Sequence, residues 1–291
     1  MTANRSWMRE CLHFCLHLRW HYQVLILSGG FLLGGLLSGI HAPADFLYHF
    51  LVIHLLLFGG ATVYNSYWDK DEGPIGGLRT PPPLAPWTRP ASLALQFGGL
   101  VLSLPMGWIY LVFYALSMLL FWLYSHPVYR WKGHPLLSLI AIGVSTGTNS
   151  LVFGYLAAGS GWDPLILVPA VGVACVMLSL YPVSQIYQRR EDERRGDRTF
   201  AVVFGRRAVY RFFLLAYVSG IILVTVGFYI LQPWLAAVFP AVAAVAGGVT
   251  ALYLRSLKGD PSEYRTVMRV KYTISLMFVL FLLAAMVIQY Y

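Results

Sequence analysis

LILVPAVGVACVMLSLYPVSQIYQRREDERRGDRT (165–199) is an apolar run that ends in a dense mixture of arginines and carboxylates. The hydrocarbon core of a bilayer takes roughly 20 helical residues. Residues 164–187 supply that length before the first charge, at Arg189. The same pattern read outward along the chain gives nine candidate spans: 22–40, 46–66, 91–107, 108–125, 136–158, 164–187, 208–231, 234–256 and 270–290. The 291 residues are 58% hydrophobic and only 11% charged, with a mean hydropathy of +0.65. A soluble domain carries about 25% charged residues, so this surface is built for lipid. Segments this long and continuous are helices, because barrel strands read as alternating ten-residue pieces. The expected fold is therefore an all-α integral membrane protein, with nine transmembrane helices enclosing a lipid-accessible chamber.

Charge placement orients it. Arg5, Arg9 and Arg19 precede the first span, and Lys70, Arg79 and Arg89 follow the second. Arg130 and Lys132 follow the fourth, eight arginines between Arg189 and Arg211 the sixth, and Arg255, Lys258, Arg265, Arg269 and Lys271 the eighth. These are all 21 basic residues, and the opposite loops hold only Asp45 and Asp163. Basic loops stay cytoplasmic, so the N-terminus is expected inside the cell membrane, the polar cap on the cytoplasmic side and the C-terminus outside. Topology also accounts for the net charge of +9, and no nucleic-acid partner is called for. Oligomeric state leaves no mark in the sequence.

The opening MTANRSWMRECLHFCLHLRWHY (1–22) is too polar for a signal peptide. His13, His17 and His21 share a helical face, with Cys11 and Cys15 roughly opposite, so residues 1–21 read as an interfacial amphipathic segment rather than a zinc site. With Cys175, the three cysteines make no disulfide framework.

Two polar runs at span ends carry the chemistry. In NSYWDKDEG (65–73), a helix turning about 100° per residue puts Asn65 and Asp69 on one face, with Glu72 about 20° away and Asp71 off it. Carboxylate and amide oxygens at a membrane boundary suit Mg²⁺, whose remaining positions go to water and substrate phosphate. The same projection after span six aligns Tyr181, Gln185, Gln188, Asp192 and Arg195, leaving Glu191 and Glu193 aside. Arginine forks there suit phosphate. In YSHPVYRWKGHP (124–135), Tyr124 ends span four, and Arg130 and Lys132 on the short loop that follows can reach a shared phosphate. Glycine-rich nucleotide loops, CxxC pairs and a Ser–His–Asp set are all missing from the sequence.

At these residues the chain resembles the UbiA superfamily of intramembrane prenyltransferases over nearly its whole length. QRREDERRGDRTFAVVFG (188–205) is similar to that family's D-x-x-x-D followed by G-x-R-T-x-x-V-x-x-G, matching at Asp192, Gly196, Arg198, Thr199, Val202 and Gly205. Asn65 and Asp69 match N-D-x-x-D-x-x-x-D, and Tyr124, Arg130 and Lys132 match the tyrosine and basic residues after helix four. Ser66, Gly73 and Gln188 stand where the family has aspartates. The resemblance implies a single domain over 1–291, with active-site loops at 67–90 and 188–207. It implies Mg²⁺-dependent transfer of a prenyl group from an allylic polyprenyl diphosphate to a hydrophobic acceptor, aromatic or lipid, among membrane lipids. Asn65, Asp69, Glu72 and Asp192 would hold metal, with Asn65, Asp69 and Asp192 catalytic. Tyr124, Arg130, Lys132, Gln188 and Arg198 would contact substrate. The missing aspartates favour one ion over two, and are compatible with a terpene cyclase or a non-catalytic prenyl-diphosphate-binding protein of the same architecture.

Overall fold

The computed structural model describes residues 2–290. Ten helical segments follow one another: α1 (Thr2–Leu18), α2 (20–38), α3 (Pro43–Asp69), α4 (Thr88–Leu102), α5 (Trp108–Ser125), α6 (Pro135–Ala157), α7 (Pro164–Arg195), α8 (Phe200–Leu231), α9 (Pro233–Ser256) and α10 (Pro261–Gln289). Proline opens α3, α6, α7, α9 and α10, where its fixed φ helps and its missing N–H costs nothing.

Among the described residues, eight helices are long and apolar enough to cross a membrane, against nine expected. The difference is α4. It runs for 15 residues before the Leu104–Met106 turn and Gly107 (φ 84°) end it, so it is a short member of the bundle. The expected 188–207 loop is also mostly helix. α7 continues to Arg195 and stops at Gly196 in the left-handed conformation, and α8 already begins at Phe200. Gly205 (φ 73°, ψ 175°) breaks the α8 spiral after one turn.

Helices in lipid gain little from hydrophobicity against one another and associate by close packing. α2 and α6 touch backbone to backbone: a Cβ on Gly34 would collide with the Leu151 carbonyl oxygen, and one on Gly154 with that of Phe31. The main core gathers Phe31, Phe58, Leu151, Phe153 and Phe228. A second core around Tyr187, Phe213, Leu254 and Val267 joins α7, α8, α9 and α10. Leu215, Tyr229, Val245 and Leu252 are exposed on the outer faces of α8 and α9, where lipid would cover them. The helices surround a chamber of about 330 Å³.

Candidate active site

One end of the chamber is polar. Asn65 and Asp69 reach it from the end of α3, Tyr124 and Ser125 from α5, Lys132 from the 126–134 loop, and Asp192 from α7. The rest of the lining is largely apolar and aromatic, including Phe58, Phe121, Val224, Phe239 and Phe281, with Arg19 and Lys271 among its exceptions.

Ion pairs organise the polar end. Lys132 Nζ lies 2.6 Å from Asp69 Oδ2, and Arg130 Nη1 lies 3.5 Å from Asp69 Oδ1. The Asp69 side chain is 1% exposed. Burial works against the Lys132 ammonium, but Asp69 and Asp71 outweigh it, raising its pKa above the ordinary lysine value. Arg130 spends its fork elsewhere: Nε and Nη2 both donate to Asp197 at 2.7 Å. Those bonds, against a smaller opposing effect of burial, raise its pKa as well. The Arg198 N–H donates to the Gly133 carbonyl at 2.9 Å, so the 126–134 loop and the α7–α8 corner are locked together beneath Lys132. Thr199 Oγ1 donates to Asp192 Oδ2 at 3.1 Å, and Asn65 Nδ2 to Ser125 Oγ at 3.3 Å. The Tyr124 and Tyr181 hydroxyls pair at 2.9 Å.

A loop, 70–78, folds over this end. Arg195 Nη1 donates to Asp71 Oδ1 and Nη2 to Glu191 Oε1, both at 2.6 Å, and Gln188 Nε2 donates to the Pro74 carbonyl at 3.1 Å. These contacts revise three expectations. Helix α3 ends at Asp69, because Lys70 takes the left-handed conformation (φ 49°). The helical projection therefore does not extend to Glu72, which is exposed and lines an outer groove rather than the chamber. Asp71, expected to point away, lines the chamber instead, and so does Glu191. Finally, Arg198 is exposed and Arg130 faces Asp197, so neither side chain lines the chamber. Asn65, Asp69, Tyr124, Lys132, Gln188 and Asp192 do.

The departures from the family motif fit one another. Gln188 spends its amide on the loop, and a Cβ at Gly73 would lie 2.6 Å from Glu191 Oε2. An aspartate at Gly73 would press carboxylate against carboxylate. Among the described residues, no group of three His, Cys, Asp or Glu side chains is placed to hold a metal. Mg²⁺ needs only one or two carboxylates when substrate phosphates complete its shell. The oxygen donors that line the polar end, Asn65, Asp69 and Asp192, fit an ion of that kind. The three N-terminal histidines are committed to backbone carbonyls, His13 to Pro83, His17 to Pro82 and His21 to Gly77.

Sequence reading missed Asp197, Arg195 as a loop latch, Arg19 and Lys271. Arg19 and Lys271 both line the chamber. A basic residue beside a span looks like a topology anchor whether it faces lipid headgroups or a cavity, and nothing local distinguishes the two.

Residues 27–282 match the UbiA prenyltransferase family. No curated protein matches the chain. Among solved structures, a UbiA homologue from Archaeoglobus fulgidus bound to GPP and Mg²⁺ is similar at 15% identity, with 94% of this chain and 99% of that one covered and a TM-score of 0.71. The same homologue bound to DMAPP and Mg²⁺ gives 14% identity, 93% and 99% coverage and 0.70. A digeranylgeranylglyceryl phosphate synthase gives 19% identity, 96% and 98% coverage and 0.63.

Proposed function

The chain belongs to the UbiA prenyltransferase family, and on that premise we propose that it transfers a prenyl group from an allylic polyprenyl diphosphate to a hydrophobic acceptor, aromatic or lipid, within the membrane. One observation carries the reading: a single cavity joins a charged end, built from Asp69, Lys132 and Asp192, to an apolar aromatic body. A diphosphate head with a hydrocarbon tail has the same division. The A. fulgidus homologue is described with GPP and DMAPP, each together with Mg²⁺, which supports the donor class and the cofactor.

The chemistry follows from the charges. The allylic C–O bond breaks with its electron pair leaving on the diphosphate. The acceptor's nucleophilic atom bonds to the prenyl carbon, and a proton leaves the acceptor. Lys132 meets the departing oxygens, since its ammonium already faces the chamber and stays protonated at neutral pH. Bound at Asn65 and Asp192, Mg²⁺ would neutralise the remaining negative charge. Arg130 and Asp197 hold the loop that carries Lys132. Tyr124 and Tyr181 present π faces and oxygens next to the charged end, and Phe58 and Phe121 shield the allylic cation from water. The loop latched by Arg195 and Gln188 keeps bulk water from that end. On charge placement the N-terminus faces the cytoplasm and the C-terminus the outside of the cell membrane.

Purified protein in lipid nanodiscs, given radiolabelled allylic diphosphates of several lengths with and without membrane lipid extract, tests the reading. A Mg²⁺-dependent labelled product that requires the extract is expected. A labelled hydrocarbon made without extract would mean cyclisation, and retention of unreacted donor would mean a binding protein.

A further inference from the structure

Helix α1 has two faces of different kinds. At about 100° per residue, Glu10, His13, Phe14 and His17 fall on one side, and Met8, Leu12, Cys15 and Leu16 on the other. The first face grips the chain between α3 and α4. His13 Nδ1 donates to the Pro83 carbonyl at 3.0 Å, and His17 Nε2 to that of Pro82 at 2.8 Å. The Trp87 ring lies 5.3 Å from that of Phe14, and its indole N–H donates to Glu10 Oε2 at 2.8 Å. Just past α1 the grip reaches loop 70–78, the lid over the polar end. Arg19 Nη1 donates to the Gly76 carbonyl at 3.0 Å, and His21 Nε2 to that of Gly77 at 3.2 Å. Ile75 and Gly76 line the chamber. The lid is thus held from α7 on one side and from the N-terminal segment on the other.

The second face is uncovered. Met8, Leu12 and Leu16 are 64%, 58% and 42% exposed, and Cys15 is exposed between them. A contiguous apolar patch of this kind calls for an occupant, and its setting names lipid. α1 is pinned at the membrane boundary at both ends. Thr62 Oγ1 donates to the His17 carbonyl at 3.2 Å, about two turns from the charged end of α3, and Trp87 stands one residue before α4 begins. Arg19, in the left-handed conformation at φ 50°, separates α1 from the α2 span. The apolar stripe is also continuous with the lipid-facing surface, because Trp20 and Leu25 of α2 carry it on and are exposed too. Charge agrees: Arg9 on α1, Arg79 in the gripped loop and Arg89 beside Trp87 are exposed and make no ion pair among the described residues. Anionic headgroups would supply their counter-charge.

We propose that α1 is a lipid-seated strap. Its apolar face docks on the anionic surface of the surrounding bilayer, and its opposite face passes that seating to residues 76–87, so that the lid stays closed while α1 lies on lipid. Ile75 and Leu78 exchange backbone hydrogen bonds at 2.8 and 3.0 Å, and their two amides report the state of the lid.

Nitroxide accessibility tests the seat, in nanodiscs that contain phosphatidylglycerol. In protein carrying Cys11→Ser, Cys15→Ser and Cys175→Ala, single labels go at Leu12→Cys and Leu16→Cys. Comparison labels go at Leu215→Cys, on the outer face of α8, and at the exposed Arg194→Cys. The Leu12→Cys and Leu16→Cys labels should favour collision with oxygen over a nickel chelate, as at Leu215→Cys and opposite to Arg194→Cys. Preference for the nickel chelate puts the face in water and overturns the seat. Dipolar broadening between labels on two molecules assigns the face to a second copy and overturns it equally. Hydrogen exchange tests the coupling. Leu12→Glu should speed exchange of the Ile75 and Leu78 amides roughly tenfold or more, the scale of burying one leucine, while α6 keeps wild-type rates. Replacing phosphatidylglycerol by phosphatidylcholine around wild-type protein should speed the same amides about fivefold, the scale of one arginine at an anionic surface. Rates unchanged by Leu12→Glu overturn the strap, and rates unchanged by the lipid swap overturn its anionic partner. Leu12→Glu can fail to fold, and the lipid swap then decides with wild-type protein alone. No probe here is a prenyl compound, so failure of the prenyl-transfer reading leaves this test intact.

Discussion

Removing the charge of Lys132 while leaving Asp69 in place would strand a carboxylate that is 1% exposed and paired at 2.6 Å. Breaking one side of a buried ion pair costs about 3–5 kcal/mol, whereas removing both partners is close to neutral. Arg130 remains 3.5 Å from Asp69, so Lys132→Met should fall at the low end, about 3 kcal/mol, or roughly 6–12 °C in apparent melting temperature. Asp69→Asn strands the ammonium in the same way, although the 14% exposure of Lys132 softens the loss. The double variant should recover most of the stability, giving a coupling energy of about 2–3 kcal/mol. Diphosphate release should not recover with it, because both groups face the leaving group. Single and double variants alike should lose roughly a hundredfold or more in rate. Thermal unfolding in nanodiscs and a coupled diphosphate assay read the two quantities separately. Additive destabilisation would refute the buried pair, and a double variant that regains turnover would refute its place at the chemistry.

Asp71→Ala should cut Mg²⁺-dependent diphosphate release by roughly tenfold or more while Glu72→Ala stays near wild type, since only Asp71 lines the chamber; equal sensitivity would contradict the left-handed turn at Lys70. Gly73→Asp, which restores a family aspartate, should raise rather than lower the Mg²⁺ needed for half-maximal rate, because its Cβ meets Glu191 Oε2 at 2.6 Å. Glu191→Gln added to it should relieve the defect, and a lowered metal requirement in Gly73→Asp alone would contradict the co-adapted loop. Against the opposing effect of burial, Asp69 and Asp71 hold the Lys132 pKa above the ordinary lysine value. Its stabilisation is therefore fully present below the unfolded value and lost as pH rises through the folded one, so the stability gap between wild type and Lys132→Met should not shrink as pH rises from about 6 to 9. A gap that shrinks across that window would mean the ammonium is not held. Single cysteines at Ala42 and Gly161 should label from outside intact cells and one at Gly196 should not; labelling of Gly196 alone would invert the topology.

The membrane fold was legible because span hydropathy and charge segregation are properties of long segments. The site was legible where helical geometry holds. Asn65 and Asp69 lie four residues apart on α3 and Gln188 and Asp192 four apart on α7, and all four line the chamber. It failed past the helix end. Lys70 carries no glycine-like signal for a left-handed turn, so the projection ran one turn too far and exchanged Asp71 for Glu72. Asp197 was hidden for another reason: its partner Arg130 lies 67 residues away, in a loop whose approach depends on how α5 and α7 pack. α4 is shorter than its apolar run suggested, because the Leu104–Met106 turn and Gly107 end the helix after 15 residues.

The central claim is that this chamber breaks an allylic C–O bond and passes the prenyl group on. The direct measurement counts inorganic diphosphate and C1-labelled organic-soluble product in the same reaction, from nanodisc protein with labelled geranyl diphosphate and membrane lipid extract. Wild type with Mg²⁺ should give the two in about equal amounts, with the label on the acceptor rather than on free prenol. EDTA and Asp192→Asn should each suppress both by roughly a hundredfold. Diphosphate accompanied by free prenol alone, or release that persists undiminished in EDTA and in Asp192→Asn, would contradict the account.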